Sequence, residues 1–314
     1  MRLSIFGTYG ILLTSAAAIP FVVERATTNT VVGIPEAVLD SFKYFANATA
    51  ASYCPTNENA TVGSLITCPP GVCPEIEADA VTSIVGFGGS NDSSVTNIKG
   101  FVALNPAKSL IIIAFAGSGN TIRNWLANFS FVQIAYTLAG CKACTVHSGF
   151  AKGWDERRTV ILDAVTTAKA AHPDYAVVVT GHSIGGAVGT LAGAELRSMG
   201  IKADVYTYGS PRVGNAAFAT FVTAQEGGNY RITHENDPVP QIPPSLIGYE
   251  HTSPEYWLTN GTATTDVYEK ENVVVCEGLG STGCNAGTGL IPISGDAHNH
   301  YLGVISACQG PIGW

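Results

Sequence analysis

The stretch Tyr175-Ala176-Val177-Val178-Val179-Thr180-Gly181-His182-Ser183-Ile184-Gly185-Gly186-Ala187 joins a run of β-branched residues to a glycine-flanked serine, and then to small residues that suit a helix. Val177, Val178 and Val179 are apolar without alternation, the pattern of a strand covered on both faces. Residues 181–185 follow as G-x-S-x-G, and residues 187–197 read as a helix. In this strand–turn–helix context the glycines leave room for a sharp turn and close helix–strand packing, which lifts the serine hydroxyl above the sheet edge. Ser183 is the candidate nucleophile.

The surrounding chain repeats the alternation. A helix-like stretch over 35–53, a strand over 111–115, an amphipathic helix over about 154–171 and strands over 203–208 and 229–233 follow in order. Strands alternating with helices predict an α/β class fold, with a central mostly parallel sheet flanked by helices. Neither an internal repeat nor a low-complexity linker divides it, so residues 35–314 read as one domain. Residues that carry chemistry are expected at the carboxyl ends of the strands.

The chain has 314 residues, 46% of them hydrophobic and 13% charged, enough to bury one large core. Its formal net charge of −8 excludes electrostatic capture by nucleic acid or an anionic membrane surface, and suits a neutral or apolar substrate. Met1-Arg2, the apolar residues 3–13 and the small residues 14–18 form a secretory signal over 1–18, too short to be a transmembrane segment. Residues 19–34 have no persistent period and read as a pro-segment or flexible arm.

Eight cysteines fit an oxidising compartment. Cys68/Cys73, Cys141/Cys144 and Cys276/Cys284 are each close enough for small-loop disulfides, which leaves Cys54 and Cys308 to join the two ends of the domain. The Cys-x-x-Cys at 141–144 lacks a second copy or a metal-spaced histidine pair, so a disulfide is the better reading and no metal is expected. Asn47, Asn59, Asn91, Asn128 and Asn260 each begin an N-glycosylation acceptor pattern.

A serine hydroxyl is a weak nucleophile, so it needs a histidine to take its proton and a carboxylate to orient that histidine. On α/β sheets these follow in the order Ser, Asp or Glu, His. Asp237 lies in the loop just after the strand 229–233, whereas Asp204 begins a strand and Asp296 suits a turn. Two late histidines, His298 and His300, are open by spacing alone. His147, His234 and His251 read as packed residues, and His182 as structural within the turn. The oxyanion needs preplaced donors: the N–H of Ile184 immediately after the nucleophile, and a second from Ala116-Gly117-Ser118-Gly119, where Ser118 offers both N–H and hydroxyl.

Several segments together resemble the lipase class 3 family, the fungal triacylglycerol lipases of the Rhizomucor and Thermomyces type. They include residues 51–54, Gly117-Ser118, Asn124-Trp125, His147-Ser148-Gly149-Phe150, residues 180–187, residues 208–215, residues 230–237, Ser253-Pro254-Glu255-Tyr256-Trp257, and His298 with Tyr301 and Gly303. The resemblance covers roughly 41–308. It implies an α/β-hydrolase fold, a Ser183–Asp237–His298 triad and an oxyanion hole from Ser118 and Ile184. It implies no cofactor. His298 is preferred over His300 because it lies three residues before the family tyrosine. In this family a short amphipathic lid helix covers the site, and the matching positions are Ile122, Trp125, Leu126 and Phe129, which recur at helical spacing.

The expected activity is thus a secreted triacylglycerol lipase that acts on acylglycerol substrates at a lipid–water interface through a serine acyl-enzyme. Feruloyl esterase or phospholipase A1 chemistry on the same fold is the alternative, because fold and triad leave the substrate open. A secreted binding protein that lost catalysis is a third reading, disfavoured by the intact triad residues.

Overall fold

A computed structural model describes residues 30–90, 92–117, 130–289 and 295–310. The expected signal, Asn91, Ser118, the lid positions and Asn128 lie outside these residues. In chain order the strands are β1 Thr30–Val32, β2 Thr82–Phe87, β3 Gly100–Asn105, β4 Leu110–Phe115, β5 Gln133–Ala135, β6 Thr145–His147, β7 Ala176–His182, β8 Ala203–Tyr208, β9 Asn229–His234, β10 Glu255–Leu258 and β11 Val273–Cys276. Nine of them form one sheet in the order β1-β11-β10-β9-β8-β7-β4-β3-β2, and β5 pairs with β6 separately. The centre of the large sheet, from β10 to β4, is parallel, and antiparallel strands close both sides. Helices cover both faces of this mixed sheet, giving an α/β-hydrolase fold.

Two-residue periodicity distributes the core between those faces. Ile111, Ile113, Phe115, Val177, Val179 and Val205 point to one face, where Phe150, Trp154, Val188 and Leu191 of the helices Ser148–Ala171 and Ile184–Ser198 cover them. Ile112, Ala114, Val178, Tyr206 and Tyr208 point to the other, against Leu39, Phe42 and Phe45 of the helix Glu36–Ala51. Each fully covered Leu, Ile or Phe contributes about 1.5–3 kcal/mol, so the central strands are held from both sides.

Two boundaries differ from the sequence reading. The helix expected from about residue 154 starts at Ser148, because His147 caps it: Nδ1 accepts from the N–H groups of Gly149 and Phe150 at 3.1 and 3.3 Å. Residues 30–32, read as part of an arm, form the edge strand β1 against β11, with Thr30 opposite Cys276 and Val32 opposite Val274. All three are exposed, so an edge strand this short leaves no apolar period to read.

The cysteines pair as Cys54–Cys308, Cys68–Cys73, Cys141–Cys144 and Cys276–Cys284. Cys54 and Cys308 are 254 residues apart, so their bond restricts the unfolded chain by roughly 5 kcal/mol in the chain-entropy treatment. Among the acceptor patterns, Asn59 and Asn260 are exposed. Asn47 lies within the helix Glu36–Ala51, where its amide donates to the Lys43 carbonyl, and Thr49 of its pattern is fully buried. In the folded chain the Asn47 amide is thus engaged within the helix while the residue stays partly exposed.

Candidate active site

The strand β7 ends at His182, and Ser183 turns the chain with φ 55° and ψ −127°. This left-handed region costs a non-glycine residue on the order of 1–3 kcal/mol, and it persists because neighbours over-determine it. The Ser183 N–H donates to the Tyr208 carbonyl at 2.9 Å, while the Ser183 carbonyl accepts from Gly186 and Ala187 at the start of the helix. The flanking glycines are demanded by contact. A Cβ on Gly181 would lie 2.4 Å from the Gly185 oxygen, and one on Gly185 would lie 2.5 Å from the oxygens of Phe115 and Ala116.

Ile184 opens the helix, so its N–H has no intrahelical carbonyl to meet. The chain leaving β4 passes directly beside the turn, because a Cβ on Gly117 would sit 2.9 Å from the Ser183 Cβ and 2.4 Å from the Tyr53 hydroxyl. Gly117 is the covalent neighbour of Ser118. Tyr53 is fully buried and ties this crossing together. His182 Nε2 faces the His298 carbonyl at 2.8 Å and must donate to it, so Nδ1 accepts from the Tyr53 O–H at 2.5 Å. Burial, then the proximity of His298, pushes the His182 pKa well below the usual range, which keeps its ring neutral.

Asp237 follows β9 at the carboxyl end of the sheet and is fully buried. Its Oδ1 accepts from the Val239 N–H at 2.9 Å. Its Oδ2 accepts from His298 Nδ1 at 2.8 Å and from the Tyr301 hydroxyl at 2.5 Å. With Nδ1 donating, Nε2 is the basic nitrogen of His298. That nitrogen is buried and has no hydrogen-bond partner among the described residues. The His298 ring lies 4.4 Å from the ring of His182, the residue before Ser183.

The two late histidines separate cleanly. His300 Nδ1 meets Asp266 at 2.8 Å in a partly exposed pair, and of the two histidines it is His298 that contacts Asp237. Asp204 accepts from the Gly228 N–H at the start of β8, and Asp296 is exposed. His234 is bracketed by the Ala297 carbonyl and the Tyr268 hydroxyl, and His251 faces the Pro240 carbonyl. Burial lowers the pKa of both, and lowers that of His147 to about 4.

Sequence reasoning missed Gly209. It has φ 58°, and a Cβ there would lie 2.8 Å from Asp237 Oδ2, 2.9 Å from the Tyr301 hydroxyl and 3.0 Å from His298 Cε1. The glycine after β8 lets the backbone run against the Asp–His pair. Its place at the carboxyl end of a strand was the available signal.

Residues 112–247 match the family described as lipase (class 3), and residues 33–83 match the lipase 3 N-terminal region. The chain is 41% identical over 300 residues to a protein named secreted mono- and diacylglycerol lipase 1 from Fusarium solani, covering 95% of this chain and 86% of that one. It is 38% identical over 317 residues to secreted mono- and diacylglycerol lipase A from Penicillium cyclopium, covering 99% and 98%. Among solved structures, the mono- and diacylglycerol lipase from Aspergillus oryzae superposes with a TM-score of 0.80 at 37% identity, covering 87% of this chain and all (100%) of that one.

Proposed function

We propose that this chain, which belongs to the class 3 lipase family, is a secreted carboxylic ester hydrolase that cleaves acylglycerols with Ser183, His298 and Asp237 as its triad. The observation that carries the assignment is the Asp237–His298 contact, with the second ring nitrogen of His298 buried, basic and unpartnered among the described residues beside the strained Ser183 turn. Ser183 Oγ attacks the ester carbonyl as its proton passes to His298 Nε2. The imidazolium, stabilised by Asp237, then protonates the departing glyceryl oxygen, leaving an acyl-enzyme. Water repeats the sequence: it gives a proton to Nε2, attacks the acyl carbon, and releases the fatty acid as Ser183 regains its hydrogen. The N–H of Ile184, with Ser118, meets the oxyanion in both halves.

Partial glycerides are the favoured substrates, because both near full-length relatives are named for mono- and diacylglycerols. Contact with a lipid–water interface belongs to the same proposal. It rests on the helical spacing of Ile122, Trp125, Leu126 and Phe129 in the sequence directly after Ser118.

The test is Ser183→Ala assayed on emulsified mono-, di- and triacylglycerol of one acyl chain. Turnover is expected to fall by a factor on the order of 10⁶ with the fold intact, and the parent enzyme to favour the partial glycerides. Near-normal hydrolysis by Ser183→Ala refutes the nucleophile. A parent enzyme fastest on triacylglycerol refutes the substrate preference alone.

A further inference from the structure

The turn that carries Asp237 is itself strained, since Glu235 has φ 39° in the left-handed region. Strand β10 holds one end of this turn: the Glu235 N–H donates to the Leu258 carbonyl at 2.9 Å, and Trp257 Nε1 donates to the Glu235 carbonyl at 2.9 Å. A further support, which bonds the Asp237 carbonyl as well, comes from a distant loop. Asn285, 1% exposed, donates from Nδ2 to the carbonyls of Glu235 at 3.1 Å and Asp237 at 2.9 Å. Both groups are acceptors only, so chemistry fixes which end of the amide faces them.

The backbone of Asn285 is in turn anchored at both its N–H and its carbonyl. Its N–H donates to Glu255 Oε1 at 3.2 Å, and its carbonyl accepts from Thr288 Oγ1 at 2.8 Å and Gln241 Nε2 at 3.2 Å. Glu255 is buried and held by Arg231 and by the Thr233 hydroxyl, so the anchor belongs to the rigid strands β9 and β10. Cys284, the preceding residue, closes an eight-residue separation to Cys276 at the end of β11. The loop therefore delivers Asn285 with little freedom left to lose.

We propose that Asn285 is a positioning residue for the hydrolytic reaction. Through its two carbonyl bonds it keeps the strained turn in the one conformation that sets the Asp237 carboxylate on His298 Nδ1. The proposal rests on Asp237 being the acid of the triad. It predicts a defect in chemistry rather than in binding, because Asn285 touches backbone behind Asp237 and a small error in placing a triad member costs rate steeply.

Asn285→Ala, the isosteric Asn285→Asp and Asp237→Ala are compared on a soluble short-chain ester, with kcat, KM, thermal midpoint and the pH profile of kcat/KM recorded. Asn285→Asp keeps the side-chain volume if the alanine variant does not accumulate folded. Each Asn285 variant is expected to lower kcat about 10- to 50-fold with KM within about twofold. The acid limb should move to lower pH, because an imidazolium less well met by carboxylate gives up its proton more readily. A kcat within twofold of the parent and an unmoved acid limb, whatever the loss in thermal midpoint, overturns the positioning role. If Asp237→Ala itself keeps near-parent kcat, the triad reading fails instead; an inactive Asp237→Ala beside a fully active Asn285→Ala sinks only this inference.

Discussion

Gly209→Ala is the sharpest probe of how the site is packed. The added methyl meets three functional groups at once, at 2.8 Å from Asp237 Oδ2, 2.9 Å from the Tyr301 hydroxyl and 3.0 Å from His298 Cε1. Ordinary contact begins near 3.4 Å. The carboxylate must therefore shift by roughly 0.5 Å or the backbone must give, and misplacement by about 1 Å is enough to cost about 10²-fold in rate. A 10- to 100-fold fall in kcat on a soluble short-chain ester is expected, with KM little changed. Alanine at φ 58° adds about 1–2 kcal/mol of backbone strain. Gly200→Ala supplies the control, since Gly200 also has a left-handed φ, 82°, with nothing within 4 Å of the added Cβ. It should carry the strain without the wedge, losing stability but no kcat. If Gly209→Ala retained kcat within twofold of the parent while destabilising no more than Gly200→Ala, the contact argument would be refuted.

Three further outcomes are expected. His298→Ala should be about as damaging as loss of the nucleophile and His300→Ala mild, because only the first ring meets Asp237; reversed losses on the same ester would reassign the base. Burial lowers the pKa of His147, His182, His234 and His251, so between folded and unfolded pKa values the unfolded state binds more protons and stability falls as pH drops below about 6.5. His147 alone, lowered to about 4, removes roughly 2 kcal/mol by pH 5, and urea midpoints that stay level from pH 7 to pH 5 would contradict this. Expressed through a glycosylating secretory route, Asn59→Gln and Asn260→Gln should each shorten the endoglycosidase-sensitive mass.

The sharp turn at Ser183 was legible because its cause is local. A valine run, two glycines at fixed spacing and a small-residue helix are each set by neighbours within a few residues, and the close approaches at Gly181 and Gly185 are the steric reason for the pattern. Asp237 was legible for a related reason, since the carboxyl end of a strand can be located from the strand itself. The same reading could not separate His298 from His300 by spacing. That choice lies in which ring reaches Asp237 across 61 residues, a matter of how the chain returns after β11 and not of any local period. Gly209, Tyr301 and Asn285 were invisible as site residues for the same reason: each acts through a contact with Asp237 or its turn made only once β8, β9 and the loop closed by Cys276–Cys284 pack together. Local sterics and periodicity are written along the chain, so sequence alone carries the sheet and the sharp turn at Ser183. Placement of a carboxylate to a fraction of an ångström depends on groups far apart in sequence, and only their packing decides it.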